Sequence, residues 1–496
     1  MVQARTNPYG TRARKRPKRE RKLIGRPKYD AIVIGAGPNG LAAAIVLARA
    51  GLAVLVLEAA DSIGGGARSG ELTLPGFTHD ICSAVHPLAM ASPFFRSLPL
   101  RAHGLEWIHA PYPLAHPFDD GTAVVLRPSL EETCRELGTD GEGYRKLVGP
   151  LVENWAGIEE MILRPLSVPR DLALGARFAL LATQPATRAA KAKFKTEQAR
   201  ALFGGLAAHS VRPLESLGTS AIGLVLAVQA HVGGWPIPKR GAQRIVDALA
   251  GHFRSLGGEI ATGVRVRSRR ELPESRLLLC DVSPKGLLEI AGAEFPARYC
   301  RALRRYRYGP GVFKMDWALR GPIPWRAPEC VRAATIHLGG TLAEICRAER
   351  DPWRGKVPER PFVLLAQPSL FDATRAPTGN HTAWAYCHVP NGCDADMTDA
   401  IEGQIERFAP GFKELILARS TKSPAQLEHG NANLVGGDVT GGANTLAQLV
   451  LRPTRKFYKT PLKGVFLCSA STPPGGGVHG MCGYNAAVEA LESIET

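Results

Sequence analysis

Short apolar runs alternate with longer helical stretches along this chain, and the first of them form a strand–helix–strand unit. Residues 31–34 are all apolar, as expected of a parallel strand that is buried on both faces. Residues 41–50 (LAAAIVLARA) predict a helix, and residues 52–57 predict a second strand. Further apolar runs at 277–280 and 464–468 predict strands of the same kind. The pattern therefore predicts an α/β fold with a parallel sheet whose strands are far apart in the chain.

The turn between the first strand and the first helix has the sequence GAGPNG and matches G-x-G-x-x-G. Gly35 permits the tight turn, Gly37 lets a pyrophosphate approach the backbone, and Gly40 lets the helix pack closely on the sheet. The free N–H groups at the start of the helix favour the phosphate charge. Glu58 ends the second strand, where a carboxylate can accept hydrogen bonds from ribose hydroxyls. The candidate dinucleotide-binding residues of this unit are Gly35, Ala36, Gly37, Pro38, Asn39, Gly40 and Glu58.

Other interpretations of this unit are weaker. Such a unit can occur without a ligand, and residues 41–57 are apolar enough to suggest a membrane span. Arg49 and Gly51 interrupt that apolar run, so a buried sheet explains it better. By itself the unit suits NAD or FAD, whereas NADP is disfavoured because no arginine follows Glu58 to bind a 2′-phosphate.

The composition is that of a large globular protein. Of the 496 residues, 45% are hydrophobic, which is enough for two domains with a sizeable core. The ten cysteines are scattered and none forms a C-x-x-C pair, which argues against a zinc ribbon and against dithiol redox chemistry. We find no secretory signal peptide, so we expect buried thiols in a reducing compartment. No cluster of residues has the spacing of metal ligands, and no metal site is predicted.

Positive charge is concentrated at the N-terminus. Residues 1–28 hold eleven Lys and Arg residues against Glu20, which accounts for +10 of the formal net charge of +17. This segment is too polar to fold alone, so we predict a disordered basic tail without a specific function. An arm that binds anionic partners, a targeting peptide and an over-extended reading frame are the alternatives. Nucleic-acid binding by the protein is not predicted.

A helical region is predicted over about residues 131–232. Within it, residues 170–200 carry seven basic residues against Asp171 and Glu197, interleaved with apolar residues. Such a helical face can rest on a membrane surface or guard an apolar entrance, but a solvated helix with an ordinary basic face is the favoured interpretation. Residues 221–232 are apolar but too short to span a bilayer, so they predict a core helix that could wall a substrate cavity.

A second G-x-G-x-x-G occurs at residues 475–480 (GGGVHG), but it does not predict a second Rossmann unit. Two prolines separate it from the strand at 464–468, and only 16 residues follow Gly480. That length leaves no room for a further strand ending in an acid. The N–H groups of this turn are better suited to face an electron-rich ring system.

Histidines near these motifs are the candidate catalytic groups. His479 has the best claim as a general acid or base, because it lies inside the second glycine-rich turn. A lone histidine is more often a structural hydrogen-bonding residue, and His388 and Asp316 are expected to be structural. The remaining polar candidates are His79, His86 and His209.

Several stretches together resemble one family. They are GGGARS at 64–69, GFTHDICSAVHP at 76–87, the turn at 235–243, YGPGVFKMDW at 308–317 and SASTPPGGG at 469–477. Their order over residues 29–496 is similar to that of the FAD-dependent amine oxidase and phytoene desaturase superfamily, and most similar to its phytoene dehydrogenase-like branch. The resemblance implies a Rossmann-type FAD-binding domain, discontinuous in sequence, with an inserted α+β substrate domain.

Domain boundaries and residue roles also follow from this resemblance. The FAD-binding domain is expected to comprise residues 29–110, 235–300 and 455–496, and the substrate domain residues 111–234 and 301–454. Ala470 stands where many relatives have an acidic residue, so one usual contact to the ribityl chain of FAD is missing. Besides the first unit, the residues implied to contact FAD are Gly65, Arg68, Val266, Thr472, Gly477 and Val478.

The activity implied by the resemblance is hydride transfer between FAD and a hydrophobic small molecule. The alternative is a flavin-fold protein that acts through a protein partner, because one mitochondrial member of the branch is linked to the regulation of mitochondrial function. We expect a cytoplasmic protein if the source is bacterial, with peripheral membrane contact through residues 170–200 as an option. If the source is eukaryotic, the expected location is the mitochondrial matrix.

Overall fold

The structure is a computed structural model, and it describes residues 29–165 and 169–495. The predicted basic tail, residues 1–28, lies outside the described residues. In chain order, the strands are β1 (Ala31–Ile34), β2 (Val54–Leu57), β3 (Ser69–Glu71), β4 (Thr78–Asp80), β5 (Trp107–Ile108), β6 (Tyr112–Pro117), β7 (Ala123–Leu126), β8 (Ile237–Pro238), β9 (Glu259–Ala261), β10 (Leu277–Cys280), β11 (Gly311–Leu319), β12 (Ala333–Leu338), β13 (Val363–Ala366), β14 (His381–Val389), β15 (Ile416–Lys422) and β16 (Val465–Leu467).

The α-helices are short to medium in length and connect or cover these strands. They are α1 (Pro38–Arg49), α2 (Pro87–Ala91), α3 (Pro93–Arg96), α4 (Leu130–Glu136), α5 (Gly141–Glu153), α6 (Trp155–Ile162), α7 (Leu172–Ala182), α8 (Ala186–Lys193), α9 (Glu197–Ala208), α10 (Thr219–Val232), α11 (Gln243–Ser255), α12 (Pro284–Ala291), α13 (Ala297–Arg304), α14 (Leu342–Arg350), α15 (Thr398–Phe408), α16 (Pro424–Gly430), α17 (Leu446–Val450) and α18 (Met481–Glu495). Within residues 29–165 and 169–495, no helix has both the length and the apolar character needed to cross a membrane.

The first sheet is parallel and has the strand order β16–β10–β1–β2–β9. Ala31 and Val33 point into the apolar cluster that contains α1 and α11, whereas Ile32 and Ile34 point into a second cluster with α12 and α13. Both faces of β1 are therefore buried, which explains why its sequence is a continuous apolar run. The prediction of an α/β fold with a parallel sheet built from distant segments is confirmed.

Helices α1 and α18 cross at very close range beside this sheet. A Cβ atom on Gly483 of α18 would lie 1.8 Å from the carbonyl oxygen of Asn39, so the backbones pack directly on each other. This contact holds the C-terminal segment against the start of α1. The glycine-rich turn at 475–480, which leads into α18, is thereby brought to the dinucleotide-binding end of the first sheet.

The second sheet is mixed and has the strand order β15–β11–β14–β13–β12–β6–β7. Phe313, Met315 and Trp317 of β11 point into an apolar cluster that includes α15, so the outer face of this sheet is covered. The alternation of side chains along a strand directs Lys314 and Asp316 to the opposite, inner face. That inner face is turned toward the segment around β4, since Nδ1 of His79 lies 3.7 Å from Oδ1 of Asp316.

The strands of the two sheets fall in different parts of the chain. Those of the first sheet lie within the segments predicted for cofactor binding, and those of the second lie within the segments predicted for the substrate domain. Helix α13 runs across the predicted boundary at residue 300. The edge strand of the first sheet, β9, is short and ends at Ala261.

Candidate functional site

Two glycine-rich turns meet at the carboxyl end of β1. A Cβ atom on Gly65 would lie 3.2 Å from the Cα atom of Gly37, and one on Gly37 would lie 3.8 Å from the Cα atom of Gly65. In the described part of the chain, the N–H groups of Gly37, Gly65 and Gly66 have no hydrogen-bond acceptor. Together with the N-terminal end of α1, which begins at Pro38, they form an arrangement that suits an anion such as a pyrophosphate. We call the residues 35–40 and 64–66 the glycine cradle.

Two carboxylates border the glycine cradle. Glu58 accepts hydrogen bonds from the N–H groups of Ala36 (2.8 Å) and Ala60 (2.9 Å), which fixes its side chain at the end of β2. Its carboxylate retains lone pairs for ribose hydroxyls. Asp281 follows β10 and accepts a hydrogen bond from the N–H of Gly40 at 2.9 Å. Burial raises the pKa of Asp281 to about 7, against the opposing effect of that hydrogen bond.

Asp281 was not among the residues singled out in the sequence. Its position in the sequence could have indicated a site residue, because an acid that directly follows a buried parallel strand lies at the edge of the sheet where α/β folds bind ligands. A Cβ atom on Gly37 would lie 3.2 Å from Oδ2 of Asp281, so this carboxyl group lies under the phosphate side of the cradle. Its raised pKa means that it can be neutral next to a bound phosphate.

The opposite side of the cradle is closed by Arg68 and by the loop after α16. The Arg68 guanidinium donates hydrogen bonds to the carbonyl oxygens of Gly65 (3.0 Å) and Gly430 (2.7 Å). Asn433 of the same loop donates to the carbonyl oxygen of Asp281 at 2.9 Å and accepts from the N–H of Ser283 at 2.8 Å. This loop belongs to the segment predicted for the substrate domain, and no local sequence signal indicated that it reaches the cradle.

The second glycine-rich turn has backbone N–H groups without an acceptor among the described residues. Gly477 is exposed and Val478 is half-buried, and within residues 29–165 and 169–495 their N–H groups have no acceptor. The turn is held from behind, since the Gly475 carbonyl oxygen accepts hydrogen bonds from Nε2 of His479 and from Sγ of Cys482. The contact of Gly477 and Val478 with a ring system stays a prediction.

His479 is fixed by hydrogen bonds at both ring nitrogens. Its Nε2 donates to the Gly475 carbonyl oxygen at 3.2 Å, and its Nδ1 accepts from the N–H of Met481 at 3.0 Å. Burial lowers the pKa of His479 to about 4, so the ring is neutral near pH 7. With no nitrogen left for a substrate, these bonds disfavour the predicted acid–base role, and they point to a ring that shapes the turn.

Two other predicted contacts have their own internal partners. The Thr472 hydroxyl donates to the Ser469 carbonyl oxygen at 2.8 Å, and the Thr472 side chain is fully buried. Val266 packs on the apolar cluster that also contains Val264 and Leu57, next to the end of β2. Its contact with FAD, which the resemblance implies, stays a prediction.

The wall opposite the cradle comes from β14 and from the segment after β4. The indole N–H of Trp384 donates to the Cys82 carbonyl oxygen at 3.1 Å, and Gly66 of the cradle lies against the Cys82 sulfur. Tyr386 and Cys82 keep part of their surface accessible, yet burial raises the pKa of the Tyr386 phenol and of the Cys82 thiol.

Charged side chains lie on the inner face of the second sheet beside this wall. Lys314 and Asp316 form a buried ion pair, and Nδ1 of His79 lies 3.7 Å from Oδ1 of Asp316. Burial raises the pKa of Asp316 to about 6, and the Lys314 charge opposes that shift. Burial also lowers the pKa of His79 to about 3. Asp316 was expected to be structural, and Lys314 was not singled out, although charges within the apolar run at 311–319 are a signal for an inward-facing polar site.

The other candidate histidines have partners within the protein, and that of His86, the Ser83 hydroxyl, also donates to the Gly66 carbonyl oxygen of the cradle at 3.0 Å. His86 shares a hydrogen bond with the Ser83 hydroxyl (3.1 Å), and His209 shares one with His337 (3.0 Å between the Nε2 atoms). Burial lowers the pKa of His86 to about 4 and that of His209 to about 3, so both are neutral near pH 7. Nδ1 of His388 lies 2.8 Å from the Glu349 carboxylate, consistent with the structural role expected of it.

Residues 170–200 form α7, α8 and the start of α9. Leu172 and Leu180 of α7 are 65% and 69% exposed, while Gly175 and Ala182 are buried. The helix thus turns an apolar face away from the rest of the protein, with Arg177 exposed on the same helix. The membrane contact predicted for this region remains a prediction, but the exposed leucines are its most direct structural support.

The cradle fits the phosphates of a dinucleotide. It offers three N–H groups that have no acceptor among the described residues, a helix N-terminus, and two glycines whose missing side chains let the two turns approach each other. The carboxylate of Glu58 is in place for ribose hydroxyls. The turn at Gly477 and Val478 adds two further N–H groups that have no acceptor among the described residues.

Comparisons with known proteins agree with this geometry. Residues 33–96 match the family described as NAD(P)-binding Rossmann-like domain. The chain is 27% identical to rat pyridine nucleotide-disulfide oxidoreductase domain-containing protein 2, with 93% of each protein covered. It is 25% identical to the lycopene-forming phytoene desaturase of a Paracoccus species, with 91% of this chain and 95% of the relative covered.

Solved structures show the same fold. An oxidoreductase from Methanosarcina mazei matches with a TM-score of 0.64 and 15% identity, over 93% of this chain and 99% of its own. Putrescine oxidase bound to putrescine matches with a TM-score of 0.61 and 16% identity, over 94% and 99%. The sequence matches identify the chain as a homologue of pyridine nucleotide-disulfide oxidoreductase domain-containing protein 2 and of the phytoene desaturases, within the superfamily of FAD-dependent oxidoreductases.

Proposed function

We propose that this protein binds FAD in the glycine cradle and oxidises or reduces a lipophilic small molecule by hydride transfer. The observation that carries the proposal is the close approach of Gly37 and Gly65, both of which have N–H groups without an acceptor among the described residues. Glu58 would hold the adenosine ribose, Arg68 would close the phosphate side, and the turn at Gly477 and Val478 would lie beside the isoalloxazine. When bound, FAD accepts or donates a hydride at its ring system.

The chain's own contribution is to hold the substrate in a dry, shaped space. Val85, Leu88, Tyr386 and Val478 are partly buried residues that pack against the main apolar core, and they come from three separate segments of the chain. Apolar walls favour a lipophilic substrate, because binding removes its surface from water at about 25 cal/mol per Å². They also exclude water from the reacting groups, which strengthens electrostatic interactions there.

Polar groups at one end of this space can orient a substrate. Lys314 holds its ammonium group on the inner face of the second sheet, near enough to Cys82 to oppose the rise of that thiol's pKa. The ring of His79, which is neutral near pH 7, lies beside the Lys314–Asp316 pair. The arrangement favours a molecule that is mostly apolar and carries a polar substituent, because the polar groups of the Lys314–Asp316 pair lie beside apolar walls.

The redox proposal is tested by the flavin spectrum during turnover. The full chain is loaded with FAD and mixed under anaerobic conditions with a total lipid extract, with NADH or with NADPH. We expect the absorbance band near about 450 nm to bleach or recover with at least one of them, because the flavin changes redox state when the substrate reacts. The protein is also reduced with dithionite and then mixed with the lipid extract. An enzymatic role is contradicted if the flavin band does not change in this mixture and does not change with any of the three reagents.

A second candidate function is a regulatory role through a protein partner, as suggested by the link of one relative to mitochondrial regulation. The same experiment separates the two, because a regulatory protein retains FAD without turning over. The interior position of Cys82 and Tyr386, accessible yet strongly desolvated, favours the enzyme.

We also propose that α7 docks on an anionic membrane surface, from which a lipophilic substrate would enter. Leu172 and Leu180 supply the apolar face, and the exposed Arg170 and Arg177 supply positive charge beside it. Burial of apolar area combined with attraction to anionic lipids is how such interfacial helices bind.

A further inference from the structure

Arg452 is a buried arginine that has only neutral partners. Its side chain is 1% exposed. Nη2 donates to the Tyr306 hydroxyl at 3.1 Å and, at 3.4 Å, to the carbonyl oxygens of Thr440 and Gly442. Nη1 donates to Oδ1 of Asn444 at 3.4 Å, and Nε is buried with no acceptor among the described residues. The guanidinium is thus held by long hydrogen bonds to dipoles.

The contrast with Arg375 shows how unusual this is. Arg375 is 0% exposed and forms ion pairs with Asp80 and Asp372, each at 3.0 Å, so its charge is compensated. Within residues 29–165 and 169–495, no carboxylate oxygen lies within 4.0 Å of the Arg452 guanidinium. A buried charge without a counterion is costly, so its retention calls for a negative charge that arrives from elsewhere.

The position of Arg452 indicates where that negative charge forms. A Cβ atom on Gly475 would lie 2.6 Å from Nη1, so the guanidinium packs directly against the second glycine-rich turn. The loop that holds it, residues 440–444, packs on the same turn, since a Cβ atom on Gly476 would lie 2.7 Å from the Thr440 carbonyl oxygen. Arg452 therefore lies directly behind the turn whose free N–H groups, at Gly477 and Val478, face the proposed flavin.

We propose that Arg452 is a positioning cation whose uncompensated charge stabilises the negative charge that the bound flavin gains on reduction. This inference rests on the proposed function, because it needs FAD beside the second turn. Its physical basis is that a charge in a low-dielectric interior acts over a distance at which it would be screened in water. The effect is to make the flavin easier to reduce.

The test is the two-electron midpoint potential of the FAD-loaded full chain, measured by equilibration with a reference dye. Four variants separate charge from structure. Arg452→Gln removes the charge and keeps an amide for hydrogen bonds, whereas Arg452→Lys keeps the charge and loses the planar fork. Asn444→Asp supplies a carboxylate next to Nη1 without touching Arg452. Arg455→Gln is the matched control, because it removes the same charge from an exposed position in the same segment.

We expect Arg452→Gln and Asn444→Asp each to lower the potential by about 30 mV or more, which is tenfold in the reduction equilibrium constant. Arg452→Lys and Arg455→Gln should stay close to the wild-type potential. An unchanged potential in Asn444→Asp, or equal shifts in the Gln and Lys variants, would overturn the proposal while leaving FAD binding intact. If Arg452→Gln does not fold, Asn444→Asp alone decides. A wild-type chain that takes up no FAD overturns this inference together with the proposed function.

Discussion

Gly37 and Gly65 approach each other so closely that a Cβ atom on Gly65 would lie 3.2 Å from the Cα atom of Gly37. The two residues come from separate turns, one before α1 and one after β2. Gly65 also has φ +55, a conformation that a residue with a side chain rarely adopts. The contact therefore explains why both motifs need glycine, and it makes the second cluster part of the same anion site as the first.

Asp281 gives the cradle a pH dependence. Burial raises its pKa to about 7, so the folded protein holds a proton there that the unfolded chain releases near pH 4. As pH rises through 7, the carboxyl group ionises beside the phosphates, and we expect FAD affinity to fall several-fold between about pH 6 and pH 8. Asp281→Asn should flatten this dependence. Equilibrium titration of the apoprotein with FAD at a series of pH values measures it, and a wild-type affinity that does not change would contradict the assignment.

Much of this cradle could be predicted from the sequence. The glycines at 35–40 and the apolar run of β1 lie within a few residues of each other. Interactions between residues that are close in sequence therefore determine the turn, the start of the helix and the buried strand. The fold class followed in the same way. The sequence could not indicate that Asn433 binds Asp281, because 152 residues separate them and only tertiary packing brings them together.

The role of His479 shows a different limit. Its place inside a glycine-rich turn predicted a catalytic group, but the hydrogen bonds to Gly475 and Met481 engage both nitrogens. Such bonds depend on the exact path of the turn, which a motif does not specify. Arg452 was missed for a related reason, since an arginine in a polar stretch gives no sign that it is buried without a counterion.

His479 should make the protein less stable in acid. Burial lowers its folded pKa to about 4, below the unfolded value of 6.5, so its contribution is present above pH 6.5 and is lost as pH falls toward 4. The expected loss between about pH 7 and pH 5 is about 2 kcal/mol of unfolding free energy. His479→Gln removes this ring, so the variant should lose correspondingly less stability over that interval than the wild type. Urea denaturation at both pH values measures the difference, and equal losses would show that the ring is not held neutral.

Helix α7 should bind anionic vesicles through its exposed leucines. The double variant Leu172→Glu/Leu180→Glu replaces the apolar face by negative charge, and we expect at least a tenfold loss of binding to phosphatidylglycerol vesicles, with weak binding of both proteins to neutral phosphatidylcholine. The control is Leu256→Glu/Leu417→Glu, which changes two exposed leucines on other elements. Co-sedimentation measures binding. If both double variants lose binding equally, charge alone explains the result and α7 is not the docking face.

The central claim is that the glycine cradle binds FAD, and the FAD content of the purified full chain tests it most directly. After incubation with FAD and removal of excess, the wild type should retain one FAD per chain, identified by its absorbance and by mass spectrometry of the released cofactor. Gly37→Leu should retain almost none, because its side chain would fill the space beside Asp281 and Gly65. The control Gly403→Leu, on the exposed face of α15 with no neighbour within 4 Å, should bind like the wild type. Full FAD content in Gly37→Leu, or none in the wild type, would contradict the account.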